Sequence, residues 1–503
     1  MLKKKEFIYN TGLGIVKQIV AVVCGFILPR YMLVYYGSDL NGLVASITNF
    51  LSIITLLEMG IGPVIQANLY KPLAEKNNDQ ISRILKESDR FFHAIAFIFL
   101  VYIVFLCFAF SLFIVDEFEP YLTISLIIII SVSTFAQYFF GMTYQLLLNA
   151  DQKAYVHTSM QIITLILNTS LCVILMKAGA SIQTVKLASS AVFVLRPIGQ
   201  LIYVKKHYYI NKHINEYRHS IQQKWNGFAQ HLAGFACGNT DIIVLTIFAQ
   251  ISVVSVYSVY YSVVIGLSNL IQSGSAGIDP LFGRLIAENK PQELEKSFDS
   301  IEFAIHFVSS FIFTLAAVLI VPFISVYTRG INDAEYYQPL FAVVLVLAYQ
   351  MQCIRIPYAR MVNAAGHFKE TQNGALISMF INIGLSLALV QHFSLVGVAF
   401  GTIAAMLYHT VYYVLYLKNR ILFRPPVIFL RYLLVDALVT IVSCFSFTMY
   451  QHSVNSYLEW TLLALRWAVF VFLIDGVINY VFNKKIVMRY CDTISTWFSR
   501  HKK

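Results

Sequence analysis

The feature that most constrains this chain is a series of apolar runs, each roughly twenty residues long. That is the length at which an α-helix crosses the hydrocarbon core of a bilayer. Of the 503 residues, 58% are hydrophobic and only 13% are charged, which is too little charge to cover the surface of a soluble protein. The sequence therefore predicts an all-α polytopic membrane protein. A β-barrel would instead show shorter segments of alternating polarity.

Hydropathy predicts about fourteen transmembrane helices. Because this number is even, both termini lie on the same side of the membrane, together with every second loop. Of the 37 Lys and Arg residues, only Lys177 and Arg329 fall in the loops of the other side. By the positive-inside rule the basic side is cytoplasmic, so a multi-pass protein of the cell membrane with two cytoplasmic termini is expected. The net charge of +11 is thereby explained by the inner loops, and no nucleic-acid partner is expected.

Several residues recur at a spacing of about 215 positions, which indicates an internal duplication. The recurring positions are Gly60 and Gly277, Asn149-Ala150 and Asn363-Ala364, Asn168 and Asn382, and Asn10 and Asn226. Each half contains six predicted spans, so the two halves should run parallel, with a substrate path at their midline. The predicted domains are a six-helix lobe (1–204), a cytoplasmic linker (205–226), a second six-helix lobe (227–420), two additional helices (421–482) and a basic amphipathic tail (483–503).

Two segments of the duplication combine a helix break with a charged stretch. Gly60-Ile61-Gly62-Pro63 and Gly277-Ile278-Asp279-Pro280 each follow an apolar span. Apolar residues then recur at helical spacing within charged sequence, as at Ile81, Ile84 and Leu85. This pattern predicts a short amphipathic helix on the membrane surface after each break.

Charged residues within the spans are the candidates for function, because a charge at mid-bilayer costs at least ~2.5–3.5 kcal/mol and should face protein or water. Seven cations lie there: Lys17, Arg30, Lys186, Arg196, Arg355, Arg431 and Arg466. Polar or small residues line one face of two spans: Asn10, Gly14, Lys17 and Ala21 in the first, and Asn226, Gln230, Gly234, Cys237 and Asp241 in the seventh. Such stripes indicate a face turned to a cavity or to a neighbouring helix.

The interpretation of these charges leaves alternatives open. The substrate-binding candidates are Lys17, Lys186 and Arg196, together with Arg30 and Arg355, which lie near span ends and could equally snorkel to headgroups. The acidic residues Glu58 and Asp241 either bind a coupling cation or neutralise these bases. Arg431 with Asp436, and Arg466 with Asp475, are interpreted as structural pairs in the additional helices.

Cations outnumber carboxylates within the spans, and this surplus favours an anionic substrate. Arginine suits a phosphate because its planar guanidinium offers paired donors. The seven cysteines include no CxxC pair, so neither a disulfide framework nor a metal site is indicated, and no cofactor is expected. Walker A, HExxH and GxSxG motifs are also absent from the sequence, so no enzyme activity is predicted.

The chain resembles the polysaccharide repeat-unit flippases, a branch of the superfamily that also contains multidrug and toxic-compound extrusion transporters and lipid II flippases. The segments that carry the resemblance are Arg30, Tyr36-Gly37, Gly42-Leu43, Leu56 to Gly62, Leu69 to Ala74, and Asn363 to Gly366. The resemblance implies two six-helix lobes, alternating access and an undecaprenyl-diphosphate-linked oligosaccharide as cargo. It implies membrane lipids, a polysaccharide polymerase and other assembly proteins as partners.

Two other functions compete with the flippase interpretation. A cation-coupled drug antiporter of the same superfamily would be expected to have twelve spans and acidic sites for cationic drugs. A membrane polysaccharide polymerase or glycosyltransferase would be expected to carry a large outer loop with catalytic charges, or an acidic metal motif in an inner loop. The span count and the positive sign of the charge within the spans favour the flippase over the drug antiporter. The short outer loops favour it over the polymerase or glycosyltransferase.

Overall fold

The computed structural model describes residues 4–58, 61–113, 118–211, 228–275, 277–450 and 454–501, and these residues are overwhelmingly helical. The first half contains α1 (Lys4–Ser52), a 3₁₀ segment (Ile53–Leu57), α2 (Ile61–Glu75), α3 (Asn78–Phe113), α4 (Pro120–Ala136), a π-helical segment (Gln137–Gly141), α5 (Met142–Ala150), α6 (Ala154–Lys177) and α7 (Ile182–His207).

The second half contains α8 (Phe228–Phe248), α9 (Ile251–Gly274), α10 (Ile278–Ala287), α11 (Pro291–Tyr327), α12 (Pro339–Ile354), α13 (Ile356–Ala364), α14 (Phe368–Arg420), α15 (Val427–Thr448) and α16 (Tyr457–His501). Strands are absent from the described residues, so the all-α prediction is confirmed.

Twelve helical stretches in the described part of the chain are long and apolar enough to cross a membrane. Two of them, within α1 and α14, have 49 and 53 residues, about twice the length of a single crossing. Both bend where the backbone leaves the helical region, at Gly37 (φ 82°) in α1 and at Ser394 (φ 46°) in α14. Counting each bent helix as two crossings gives the fourteen that hydropathy predicts.

The helix breaks lie where the Gly-Ile-x-Pro segments predict them, but the amphipathic segments are not separate helices. Pro63 and Pro280 lie in the first turns of α2 and α10. The buried residues Ile81, Ile84 and Leu85 belong to α3, which continues into the membrane span without a break. The separate surface helix predicted here is therefore wrong, because nothing in the sequence after Asn78 interrupts the hydrogen bonding of the helix.

The chain forms two compact units. Unit 1 comprises Met1–Phe235, Leu245–Ser258 and Ile331–Ala334, and unit 2 comprises Ala236–Val244, Val259–Gly330 and Glu335–Lys503. Each unit has buried apolar residues of its own, such as Ile47 and Phe99 in unit 1 and Trp467 and Val471 in unit 2. The additional helices α15 and α16 therefore belong to unit 2.

Within unit 1, the end of α1 packs closely on residues 245–258. A Cβ at Gly42 would lie 2.1 Å from the carbonyl oxygen of Ile251, so only glycine permits this approach. Asn41 donates to the Ser255 hydroxyl at 2.8 Å, and Thr246 donates to Ser46 at 2.8 Å, both out of solvent. The segment that follows the Gly37 bend is thus fixed by backbone contact and by buried hydrogen bonds.

Residues with positive φ recur along the chain at nearly the spacing of the sequence anchors. Lys76 and Asn289 (φ 54° and 52°) are 213 positions apart, and Gln152 and Gly366 (φ 61° and 74°) are 214 apart. Each of these residues lies just after the end of a helix. The left-handed conformation is a common way for a helix to end, so equivalent helices terminate in the same manner in both halves.

Candidate functional site

Three of the predicted substrate-binding cations lie in unit 1, on two helices that both pack against α6. Lys17 belongs to the first half of α1, and Lys186 and Arg196 belong to α7. All three side chains are partly buried within helices apolar enough to span a membrane. The structure therefore places these bases on neighbouring parts of one compact unit.

The groups that contact these cations are neutral. Lys186 donates to the sulfur of Met32 on α1 at 3.3 Å. Arg196 donates to the Thr164 hydroxyl on α6, and its guanidinium carbon lies 4.4 Å from the centre of the Phe193 ring. Sulfur, hydroxyl and aromatic groups orient a cation but carry no negative charge that would neutralise it.

An imidazole on α6 lies between the bases of α1 and α7. His157 lies close enough to Lys17 and Arg196 to interact electrostatically with both, and its Nδ1 lies 2.6 Å from the side-chain nitrogen of Gln200. As an acceptor from the amide, Nδ1 carries no proton in this arrangement. Lys17 and Arg196 thus face the same polar region, which Gln200 and His157 line.

The local structure of α7 at Arg196 follows from a proline and a glycine. Pro197 lies inside α7 and removes one backbone hydrogen bond. A Cβ at Gly141 would lie 2.8 Å from the Cβ of Pro197, so α7 packs against the π-helical segment at its closest point. π-Helical segments occur frequently at functional sites. This close packing fixes the backbone from which the Arg196 side chain extends.

Among the described residues, Lys17, Lys186 and Arg196 make no ion pair with a carboxylate. Some other cations of the described residues do form ion pairs, such as Lys153 with Asp151 at 2.7 Å and Arg360 with Asp279 at 2.6 Å. Because removing a lone charge from water is costly, three unneutralised bases in spans call for an anion or for water beside them. This is the arrangement that a site for an anionic group requires.

The other two cationic candidates are Arg30 in unit 1 and Arg355 in unit 2. Arg30 is partly buried on α1, directly after Pro29. Arg355 lies at the break between α12 and α13 in unit 2, where it donates to Nδ1 of His409 at 2.8 Å. His409 in turn lies 3.4 Å from Ser378, which contacts Cys237. Arg355 thus belongs to a polar network inside unit 2.

Asp241 lies in a buried cluster of oxygen atoms in unit 2. Both oxygens of its carboxylate accept from the hydroxyl of Thr402, at 2.9 and 2.7 Å. Asn382 donates to the same hydroxyl at 3.0 Å, and its own side-chain oxygen is buried without a hydrogen-bond partner. The two arms of α14 can approach here because Gly401 has no Cβ, which would lie 2.3 Å from Ser386. Oxygen donors of this kind suit hard cations and protons.

Glu58, the second acidic candidate, lies at the end of the 3₁₀ segment in unit 1. It hydrogen-bonds Tyr138 in the π-helical segment, and its Oε2 is buried without a hydrogen-bond partner. In the described part of the chain Glu58 forms no ion pair with a base. Its two predicted roles, binding of a coupling cation and neutralisation of the bases, stay predictions.

The structural pairs expected in the additional helices are also wrong. Asp436 pairs with His306 at 2.6 Å, and Asp475 accepts from Asn479 at 2.8 Å. Arg431 lies over the Tyr432 ring instead. Arg431 and Arg466 form no ion pair with a described residue. Helical spacing explains this result, because residues five or nine positions apart on a helix do not share a face.

Several site residues were not identified from the sequence. His157, Thr164 and Gln200 around Arg196 carry no local signal, because they meet only when α6 and α7 pack. Asn382 did stand out in the sequence, because it is the counterpart of Asn168 in the internal duplication. The stripe residue Asn226 lies outside the described residues, as does the side chain of Gln230. No group of three or more His, Cys, Asp or Glu side chains among the described residues could hold a metal ion.

At the level of sequence, the chain matches no protein-family model and no curated protein. Its fold does match solved structures. The lipid II flippase MurJ, in an inward closed conformation, superposes with a TM-score of 0.72 at 15% identity, over 94% of this chain and 99% of that chain. An inward-facing multidrug resistance MATE family transporter of the MOP superfamily gives a TM-score of 0.60 at 10% identity, over 80% and 95%.

The MATE multidrug transporter DinF-BH gives a TM-score of 0.61 at 15% identity, over 84% of this chain and 98% of that chain. The fold is the one that these flippase and transporter structures share. Identities this low establish the fold alone, and both flippases and drug transporters are built on it. Any choice between these activities has to come from the chemistry of the site.

Proposed function

We propose that this protein is a flippase that moves undecaprenyl-diphosphate-linked oligosaccharide repeat units across the cytoplasmic membrane by alternating access, for the synthesis of a cell-surface polysaccharide. The observation that carries the proposal is the set of three bases on α1 and α7, Lys17, Lys186 and Arg196, with no carboxylate partner in the described structure. A diphosphate supplies the missing negative charge, and Arg196 can bind two of its oxygens at once.

A second candidate is a multidrug antiporter, because MATE transporters share the fold. A site for a cationic drug needs exposed negative charge within the membrane. In this chain Asp241 accepts from Thr402 and is almost completely buried, at 2% exposure, so it is not open to a drug-sized cation. The unneutralised charge near the substrate candidates is positive, which favours the flippase.

The two candidates can be separated in liposomes that contain the purified full-length protein. The probes are an undecaprenyl diphosphate that carries a fluorescent sugar, and a fluorescent rhodamine as the cationic drug. We expect the lipid to become accessible to a membrane-impermeant quencher faster than in protein-free liposomes, and we expect no accumulation of the rhodamine. Accumulation of the drug under an ion gradient, with lipid movement at the protein-free rate, would overturn the proposal.

For the driving force, we propose that a cation binds at the Asp241 cluster. Asn at position 241 keeps the shape but removes the charge that holds a cation, so Asp241→Asn should abolish the acceleration of lipid movement by a sodium or proton gradient. Glu58→Gln tests the other acidic candidate in the same assay. The matched control is Glu293→Gln, since Glu293 has a 61% exposed side chain. Unchanged gradient dependence in Asp241→Asn would contradict this assignment.

A further inference from the structure

Three helices of unit 2 face one another with polar residues, inside spans that are otherwise apolar. The polar positions are His306, Ser309, Ser310 and Thr314 on α11, Asp436, Thr440 and Ser443 on α15, and Asp475, Asn479 and Asn483 on α16. On α15 and α16 these positions follow one another at three or four residues, so each set forms a single stripe. We call this arrangement the α11–α15–α16 seam.

The seam is closed to solvent, and two of its members form an ion pair. His306 Nδ1 lies 2.6 Å from Asp436 Oδ2, and the two residues are 2% and 3% exposed. Thr314 and Thr440 share a hydrogen bond of 2.8 Å further along the same two helices. The Asp436 carboxylate therefore has a direct partner in the imidazole of His306.

Asp475 is the remaining ionisable residue of the α11–α15–α16 seam. It is 0% exposed, and its Oδ1 accepts from Asn479 at 2.8 Å. Asn483 continues the ladder by donating to Asn479 at 2.9 Å, which fixes the orientation of the Asn479 amide. The other carboxylate oxygen, Oδ2, is buried with no hydrogen-bond partner. One oxygen of Asp475 is thus held by the Asn479 amide, whereas the other accepts no hydrogen bond in this arrangement.

The groups that face Asp475 from the neighbouring helices make an isolated negative charge there unfavourable. The carboxylate of Asp436 on α15 is close enough to repel it, and only the hydroxyl of Ser310 on α11 acts in the opposite sense. The next charged groups, Glu302 and Arg424, are paired with each other and do not compensate it. Buried charges without a partner are not maintained in spans, and ionisable residues of this kind form proton relays in membrane proteins.

We propose that Asp475 is a proton-binding site, at which a proton on Oδ2 neutralises the carboxylate, while Asp436 keeps the imidazole of His306 as its hydrogen-bond partner. A proton fits because it needs no cavity, whereas a metal ion would need several oxygen ligands around an enclosed carboxylate. The seam also contains groups that can accept and pass on a proton, since His306 Nε2 and the hydroxyls of Ser309 and Ser443 are buried without hydrogen-bond partners. The inference does not depend on the cargo of the transporter.

Carbodiimide labelling tests the site on the full-length protein in liposomes. Dicyclohexylcarbodiimide is apolar and adds to protonated carboxyl groups, and mass spectrometry of peptides then locates the adduct. We expect labelling of Asp475 at neutral pH that falls as the pH is raised, with Asp436 left unlabelled because it faces His306. Absence of label on Asp475 over the whole pH range in which the protein is folded would overturn the proposal, and so would equal labelling of Asp436.

Two further arms test for a metal ion and for a negative charge at Asp475. Sodium in place of choline at constant pH should leave the labelling unchanged, and protection by sodium would assign the site to a metal ion instead.

Asp475→Asn resembles the protonated acid, so this variant should unfold at the same temperature as the parent protein. Asp436→Asn should unfold at a lower temperature. A lowered unfolding temperature for Asp475→Asn alone would contradict a neutral Asp475. None of these readouts uses transport, so their failure is distinguishable from failure of the flippase proposal.

Discussion

Replacing Arg196 with glutamine should abolish surface polysaccharide while leaving the amount of protein in the membrane unchanged. Glutamine keeps much of the side-chain length and can still hydrogen-bond Thr164, but it removes the charge that a diphosphate would bind. A hydrogen bond to a charged group contributes about 1.5–3 kcal/mol, which corresponds to a roughly 10- to 100-fold slower movement of the lipid probe in liposomes. Lys186→Ala should have the same effect, because Lys186 contributes the second base of α7.

The control for this prediction is Lys71→Gln. The Lys71 side chain is 82% exposed and makes only a weak contact with Glu75, at 3.9 Å, so its loss should leave polymer and lipid movement unchanged. Arg196→Lys should retain part of the activity, because it keeps the charge and loses the planar fork. A normal amount of surface polysaccharide in both the Arg196→Gln and the Lys186→Ala variant would show that these residues do not belong to the site.

Replacing Arg424 with glutamine should destabilise the protein more than removal of any exposed base. Arg424 lies in the connection between α14 and α15, where it forms ion pairs with Glu302 and, at 2.9 Å, with Asp299. Burial lowers the pKa of Arg424, but the charges of Glu302 and Asp299 outweigh this effect and raise the pKa overall. The guanidinium therefore remains charged.

The expected size of this effect follows from the burial of the partner. Glu302 is 0% exposed and also accepts a hydrogen bond from Tyr358. Removing one partner of a buried ion pair costs about 3–5 kcal/mol, because the other charge stays buried without compensation. Thermal unfolding in detergent should therefore shift to a clearly lower temperature.

Arg284→Gln is the matched control for Arg424. Arg284 is 67% exposed and lies 3.8 Å from Glu288, and exposed pairs of this kind contribute about 0–1 kcal/mol. The double variant Arg424→Met with Glu302→Met should recover part of the lost stability, since it leaves no unpaired buried charge. Equal unfolding temperatures for Arg424→Gln and Arg284→Gln would show that the buried pair is not stabilising.

Hydropathy alone predicts the crossings of this protein, because a lipid environment allows a spanning segment few alternatives to a helix. The same argument locates the in-membrane bases Lys17, Lys186 and Arg196. It could not predict that α3 begins at Asn78 as one continuous helix, since charged and apolar sequence are equally compatible with helical hydrogen bonding.

The pairing of charges was accessible only from the tertiary structure. Sequence proximity suggested Arg431 with Asp436, whereas the helices bring His306, 130 positions away, against Asp436. In the same way, Thr402 reaches Asp241 from 161 positions away. A hydrogen bond depends on distances of about 3 Å, and no periodicity in a sequence specifies which helices approach that closely.

The sequence by itself therefore determined the class of the protein, its crossings and the presence of excess positive charge in the membrane, because each of these depends on the free energy of transfer of single residues from water to lipid. Only the tertiary structure decided which charges are neutralised. It left Lys17, Lys186 and Arg196 with uncharged neighbours and enclosed Asp475 in a seam, because neutralisation depends on contacts between helices that are distant in the chain.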